Sequence, residues 1–561
     1  MIKMKYRTVP SGIEDFKRII DEQYYYVDKT LLIKEIIDNN SMVNLFTRPR
    51  RFGKTLNMSM IQYFFENSNE DNSYLFDGLN IMNEDKKYSL YMGQYPVINL
   101  SLKSAKQPTF DLAYKCIIQQ ISNEFSRHKY ILKSEIMKND KERFEKIINM
   151  KDDQSLYITS LMFLSECLQK YHNKKVIILI DEYDVPLENS FFRGFYEQMV
   201  DFIRTLFESV LKTNNALEFG IITGCLRISK ESIFTGLNNL NIMSILNHKY
   251  SQFFGFTEHE VEQILRYYTL EDKMELVKYW YNGYVFGKTI VYNPWSVVKY
   301  IFDANTDREV LPSSYWANTS SNSIVKSLIE KADLTTKQEI EKLIAGDTIE
   351  KPIYEDITYD EVYKNMNNLW NFMYFTGYLK KVGERMDETS QRYLTLKIPN
   401  EEIRYIFRYK VLDWFEEQIK AKDLSKIYTS IINGDAKTFE DELGRLLRET
   451  ISFIDTYENF YHGFVLGVLA NMHDYIIKSN REGGSGRSDI FIKSASLRGI
   501  AIVIEFKVSK NLDELEEKAK GAIKQIEDKK YDMELKEEGY RNIIKYGIAF
   551  YRKECAIEIF K

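Results

Sequence analysis

Gly53, Lys54 and Thr55 close the segment Arg48-Pro49-Arg50-Arg51-Phe52-Gly53-Lys54-Thr55, and they are the residue types that grip a polyphosphate. Gly53 lets the backbone bend close to an anion. Lys54 can reach the outer phosphates, and the Thr55 hydroxyl can ligate a magnesium ion. The segment follows a mostly apolar run, Met42 to Phe46, and precedes a helix-like stretch, Leu56 to Phe65. That is the strand–loop–helix setting a phosphate-binding loop requires. Arg48 stands where the full pattern wants a glycine, so the string by itself is an incomplete match.

A second element fits the same chemistry. Val176-Ile177-Ile178-Leu179-Ile180 is a continuous apolar run, as expected of a strand buried on both faces of a parallel sheet. It ends in Asp181-Glu182-Tyr183-Asp184. Asp181 sits where a second carboxylate would hold the magnesium ion through water. Glu182 sits where a base would polarise the attacking water. The plainer alternative is an acidic surface turn. A third apolar strand, Phe219 to Ile222, ends in Thr223-Gly224. Thr223 could sense the terminal phosphate or orient the water. Arg227 either neutralises charge on the transferring group or is a surface residue.

The C-terminal part carries another constellation. Glu458 opens a helix that runs to about His473, and a strand, Tyr475 to Lys478, follows. Gly483-Gly484-Ser485-Gly486-Arg487 makes a tight turn before Ser488-Asp489-Ile490-Phe491-Ile492. A long apolar strand, Ile500 to Ile504, then ends in Glu505-Phe506-Lys507. On a strand Glu505 and Lys507 point to one face and Phe506 to the other. A hairpin-like pairing would bring Asp489 beside Glu505. Adjacent carboxylates repel unless a divalent cation lies between them, and oxygen ligands suit magnesium or manganese. Lys507 could orient or help deprotonate a metal-bound water, and Glu458 could complete the shell. The alternative is a surface salt bridge at strand ends.

These residues need elements to hold them. Strands at 42–47, 95–100, 175–180 and 218–223, with amphipathic helices between them, predict a parallel sheet over residues 1–255. Tyr24-Tyr25-Tyr26 leads into a helix, Leu31 to Ile37, with Asp28 as its expected N-cap. That aromatic run either contacts a nucleotide base or packs as a cluster. Residues 256–345 read as a helical lid, opened by a capping box at Thr257 and Glu260. Residues 346–449 read as a winged-helix-like region or a helical spacer, followed by a charged helical connector, Glu416 to Arg448. Residues 450–561 have an αβββαβ order, that of a restriction-endonuclease-like α/β domain. The helix Leu512 to Tyr531 is expected to turn Ala519, Ala522, Ile523 and Ile526 inward.

Bulk properties narrow the function classes. The 561 residues suffice for about three or four domains of ordinary size. Net charge is −5, so nucleic acid would be held by a local patch rather than a global field. No apolar run approaches the roughly 20 residues of a membrane span, and the start lacks the apolar stretch of a signal peptide. The four cysteines are scattered without a CxxC pair, which fits a reducing cytoplasm and disfavours a structural zinc.

Taken jointly, several segments resemble a bacterial and archaeal family of AAA-ATPase-like proteins with a C-terminal PD-(D/E)xK nuclease-superfamily domain. They are Gly12-Ile13-Glu14-Asp15-Phe16, Tyr26-Val27-Asp28-Lys29-Thr30, the loop from Thr47 to Thr55, Ile180 to Asp184, Asn318-Thr319-Ser320, and Asp489 with Glu505-Phe506-Lys507. The loop with arginine for the first glycine looks like the family's own form. The resemblance implies an α/β multidomain chain with a P-loop ATPase core fused to a nuclease-like domain. ATP with Mg2+ would engage Arg48, Arg51, Phe52, Gly53, Lys54, Thr55, Asp181, Thr223 and Arg227. Mg2+ or Mn2+ would sit at Asp489 and Glu505. The expected activity is ATP-coupled cleavage of nucleic acid, DNA ahead of RNA, in defence or DNA processing. An ATP-switched regulator or nucleic-acid-binding protein, and an effector acting on a host target, stay open. So does a homo-oligomer, which Arg227 acting in trans would need.

Overall fold

The computed structural model describes residues 6–151, 153–212, 214–226, 233–234, 237–316, 333–355, 366–407, 423–450, 458–469, 472, 475–479 and 489–561. Arg227, the glycine turn 483–487, Ser488 and Asn318-Thr319-Ser320 lie outside them. The chain forms two compact units, Met1–Asn318 with Glu350–Ile403, and Thr319–Ile349 with Arg404–Lys561.

The first unit is built on a five-stranded sheet, all parallel. Its strands are β1 (Val43–Thr47), β2 (Val97–Ser101), β3 (Val176–Asp181), β4 (Leu217–Gly224) and β5 (Leu240–Met243), in spatial order β2-β3-β4-β1-β5. The expected strands at 42–47, 95–100, 175–180 and 218–223 are four of these, within a residue or two. β5 is short and only partly buried, which is why no apolar run marked it. β1 and β3 lie in the middle of the sheet and every residue in them is buried. A strand flanked on both sides needs apolar side chains on both faces, so it reads as a solid run rather than an alternation.

The helix after the loop runs Lys54–Phe65, starting directly behind Gly53. Gly53 has φ +81°, a left-handed conformation that a side chain disfavours. Asp28 does not cap the next helix upstream, Leu31–Asn39. The N-cap is Thr30, whose N–H and hydroxyl both donate to Asp28 Oδ1, at 2.8 and 2.6 Å. Asp28 thus fixes the turn before the cap and has its other oxygen on Asn80 N.

The capping box is present at the helix Glu258–Tyr267, with Thr257 and Glu260 bonded reciprocally. Helices Met274–Tyr281 and Pro294–Thr306 follow, with a small hairpin, β6 (Tyr284–Phe286) and β7 (Thr289–Val291), between them. Their shared core includes Val261, Leu265, Val277, Tyr281 and Ile301. Later in the same unit, the helix Met366–Phe375 turns at Gly377 into an antiparallel pair, β8 (Lys380–Met386) and β9 (Arg392–Lys397).

The second unit contains a mixed sheet with helices. Its strands are β10 (Tyr475–Ser479), β11 (Ile490–Ser494), β12 (Ile500–Val508), β13 (Asn542–Tyr551) and β14 (Glu554–Phe560), in spatial order along the chain. Only β12 and β13 run parallel. The helix Leu515–Asp528 makes the crossover a parallel pair requires, and it buries Ala519, Ala522, Ile523 and Ile526 as expected. Gly434 breaks the charged connector into helices Ser425–Asn433 and Ala436–Thr450, which join the core on one face of the sheet.

Candidate functional site

The C-terminal edge of the parallel sheet gathers the first set of residues. Loops at that edge point strand-end side chains into one crevice, where ligands of such sheets bind. Thr55 Oγ1 donates to Asp181 Oδ2 at 2.7 Å. Thr223 Oγ1 donates to the other oxygen of the same carboxylate. Asp181 is only 3% exposed, so two hydroxyls from two elements fix its orientation. A hydroxyl and a carboxylate oxygen this close fit a magnesium ion, which takes few protein ligands and fills its shell with phosphate and water. Among the described residues no cluster of three or more carboxylate, histidine or cysteine ligands forms an all-protein cage.

Lys54 is buried and donates to the carbonyls of Arg48 and Pro49, both at 2.9 Å. It therefore spans its own loop, with its ammonium held by the strand-side residues that a phosphate would displace. Glu182 follows Asp181 with φ +54°. Burial, and next the Asp181 charge, push its carboxyl up, which makes it a stronger base. Asp184 accepts from Cys225 N and Leu226 N, tying β3's end to β4's. Gly224 is required there: a Cβ would lie 2.5 Å from the Tyr183 ring.

Two loop arginines go elsewhere than phosphate chemistry alone would suggest. Arg48 is fully buried. Its Nη1 donates to Thr47 O and Met243 O, and its guanidinium lies 5.0 Å from the Phe254 ring and 5.3 Å from Phe286. Burial alone brings it down to about 9, still charged at neutral pH. Arg48 thus welds the loop to the end of β5. Phe52 is also fully buried, against Tyr284 and Phe286. Arg51 stacks 4.1 Å above Trp295 and donates to Tyr315 O.

Near Arg51 lies a residue that sequence reasoning missed. Glu402 is fully buried and accepts from Ser296 Oγ and Trp316 N. Burial pushes its carboxyl up to about 7, against the pull of these donors and of Arg51. A carboxyl raised in the folded state contributes stability while protonated. That contribution is complete below the ordinary value of 4.5 and is lost as pH rises towards about 7. Glu402→Gln stays neutral throughout. Its melting temperature should gain on the parent's as the buffer moves from about pH 5 to about pH 8. A difference that stays constant over that range would contradict this.

The second set lies on the mixed sheet. Continuing the β11–β12 register beyond Ile490↔Ile504 sets Asp489 opposite Glu505. Asp489 Oδ2 accepts from Phe506 N at 2.8 Å, which locks the carboxylate across the strand pair. Lys507 Nζ lies 3.7 Å from Glu505 Oε1. Phe506 points the other way, into a core with Ile502 and Ile504. Glu505 and Lys507 therefore share a face, with Ala501 and Val503, as alternation required. Two adjacent carboxylates offer oxygen ligands that fit magnesium or manganese, and the Lys507 ammonium lies beside them without being a ligand.

Three neighbours went unassigned in the sequence. Gln525, on the crossover helix, donates to Glu505 Oε1 and to Tyr531 OH. His462 Nε2 lies 3.1 Å from Asp489 O, on the helix Glu458–Leu469. Their only signal was helical spacing towards the strand ends. Glu458 begins that helix, and its side chain is outside the described set.

Two stretches of the chain match known protein families. Residues 10–234 match the family described as Predicted AAA-ATPase, and residues 456–559 match the PD-(D/E)XK nuclease superfamily. A curated protein of Azotobacter chroococcum mcd 1, described as lying in the vnfD 5′ region, is 26% identical over 353 residues. The match covers 62% of this chain and spans 60% of that protein's length. No helix among the described residues is long and apolar enough to cross a membrane.

Proposed function

We propose that this chain, an AAA-ATPase-like domain joined to a PD-(D/E)XK nuclease-superfamily domain, binds and hydrolyses ATP and cuts nucleic acid with a divalent metal. The observation that carries this reading is the assembly of each set on one strand edge. Thr55 reaches Asp181 at 2.7 Å, with Glu182 beside it, and Asp489 faces Glu505 and Lys507. Thr55 and Asp181 would hold the magnesium ion of the nucleotide, and Asp489 and Glu505 a magnesium or manganese ion. A metal so held supplies charge stabilisation and a water of lowered pKa. Glu182 is the candidate base, Lys54 the phosphate contact, and Thr223 orients Asp181. Arg48 and Phe52 position the loop. Lys507 steadies charge beside Glu505.

The nucleic acid is DNA ahead of RNA, and the setting cytoplasmic. With a net charge of −5, binding rests on local basic groups and weakens with salt. The helix Met366–Phe375 with the β8–β9 pair supports a winged-helix-like element in the middle region.

The deciding experiment is digestion of a panel of DNA and RNA with magnesium or manganese, with and without ATP. Cleavage that survives chelator would overturn the metal assignment. No cleavage of any substrate would favour an ATP-switched regulator. For the first site, Lys54→Ala should lose a charge-assisted contact worth about 1.5–3 kcal/mol, a roughly ten- to hundredfold drop in ATP affinity. Calorimetry showing equal affinity for variant and parent would sink that assignment.

A further inference from the structure

The Gly12-Ile13-Glu14-Asp15-Phe16 segment has no role so far, yet it lies at the nucleotide end of the sheet. Asp15 caps the short helix Phe16–Asp21 by accepting from Arg18 N. Its other oxygen accepts from Ser59 and Tyr63, on the helix that follows the phosphate loop. Phe16 N donates to Ser59 Oγ at 2.9 Å, and the Phe16 ring is fully buried. The segment is thus pinned to the Lys54–Phe65 helix. Between them is a cavity of about 420 Å³, lined by Glu14, Asp15, Thr55, Asn99, Ser101 and Asp181, among others. The same cavity therefore reaches the hydroxyl and carboxylate that would hold the magnesium ion.

Lys103 stands beside this cavity. In the β2–β3 register Ser101 pairs with Asp181, and Leu102 N donates to Asp181 O at 3.0 Å. Lys103 is the next residue, so its backbone leaves the sheet beside the Asp181-Glu182 turn. Its ammonium bonds both oxygens of Glu14, at 3.0 and 2.9 Å. Burial is the largest single influence and lowers its pKa, but Glu14 and, more weakly, Glu182 and Asp181 together outweigh it and raise the pKa. Both side chains of the pair are 57% exposed, so solvent screens the bond and little opposes its opening.

We propose that Lys103 is a second cation for the terminal phosphate, parked on Glu14 until nucleotide binds. This rests on the ATPase reading above. The terminal phosphate carries the most charge of the three, and with Thr55 and Asp181 holding the nucleotide's magnesium ion it would lie towards them. A flexible ammonium within the field of Asp181 and Glu182 is placed to leave one carboxylate for that group. Lys54 contacts the phosphates from the loop side. Lys103 would contact the terminal one from the β2 side, and so distinguish ATP from ADP.

The test uses the full chain with AMP-PNP and ADP, each with magnesium, in calorimetry, and ATP in a phosphate-release assay. Lys103→Met should weaken AMP-PNP roughly tenfold or more, leave ADP within about twofold, and slow phosphate release at least tenfold. Lys103→Arg should restore much of the preference, since it keeps the charge. Glu14→Gln should keep the preference for AMP-PNP, since it removes only the parking site. An unchanged AMP-PNP to ADP ratio in Lys103→Met would overturn the proposal, whether both affinities hold or both fall. A parent that binds neither nucleotide would instead refute the ATPase reading itself.

Discussion

Asp489→Ala and Glu505→Ala should each abolish nearly all metal-dependent cleavage of nucleic acid. Each removes one of two carboxylates that face each other across β11 and β12, and a metal left with one protein ligand is poorly held. The loss should exceed the roughly 10–100-fold typical of removing an outer partner of a metal ligand. Neither change should unfold the unit. Glu505 is 4% exposed, and deleting a buried carboxylate also deletes its desolvation cost. Glu505→Gln, which keeps the shape beside Gln525, serves as the second variant. Melting curves close to the parent's, together with lost cleavage, would support the assignment. Full cleavage by the double alanine variant would place the activity elsewhere. Lys507→Ala should cost rate rather than metal affinity, because an ammonium has no lone pair to give a metal.

Glu182→Gln should keep ATP binding and lose turnover, by about 10²–10⁴-fold if the side chain is the general base. The amide matches the carboxylate in shape but cannot take a proton. Binding should survive because the groups that would hold nucleotide and metal are others: Lys54, on the loop, and Asp181, fixed by Thr55 and Thr223. The backbone at Glu182 has φ +54°, and glutamine adopts it no worse than glutamate, so the turn should persist. Unchanged steady-state phosphate release in this variant would remove Glu182 from the mechanism. Lost ATP affinity would show instead that the Asp181-Glu182 turn needs its charge to hold shape.

The strands were legible where burial on both faces forced apolar runs, unbroken in Val176–Ile180 and interrupted by Asn44 in Val43–Phe46. The helices were legible where capping and spacing coincided, as at Thr257 and Glu260. β5 and β14 escaped notice. β5 is partly exposed, and β14 has an apolar run of only three residues, Cys555 to Ile557, between two glutamates. The Asp28 cap was misplaced by two residues, because an aspartate can fix a turn just before a helix as readily as it caps one. The roles of Arg48 and Glu402 were not legible. Arg48 finds Met243, and Glu402 finds Ser296 and Trp316, only by contacts distant in sequence.

The sequence by itself determined the local chemistry: a glycine, lysine and threonine in a strand–loop–helix setting, and a glutamate and lysine two residues apart on a strand. Those facts need only the period of a strand and the reach of a side chain. Tertiary structure decided what each charged group faces. Parallel pairing put Ser101 beside Asp181, and so Lys103 near Glu182. Antiparallel register put Asp489 opposite Glu505. Packing turned Arg48 into the protein and left Lys54 across its loop. An ionised side chain has little preference of its own along a chain. Its energy is set by the dielectric and the partners around it, and those exist only once distant segments have met.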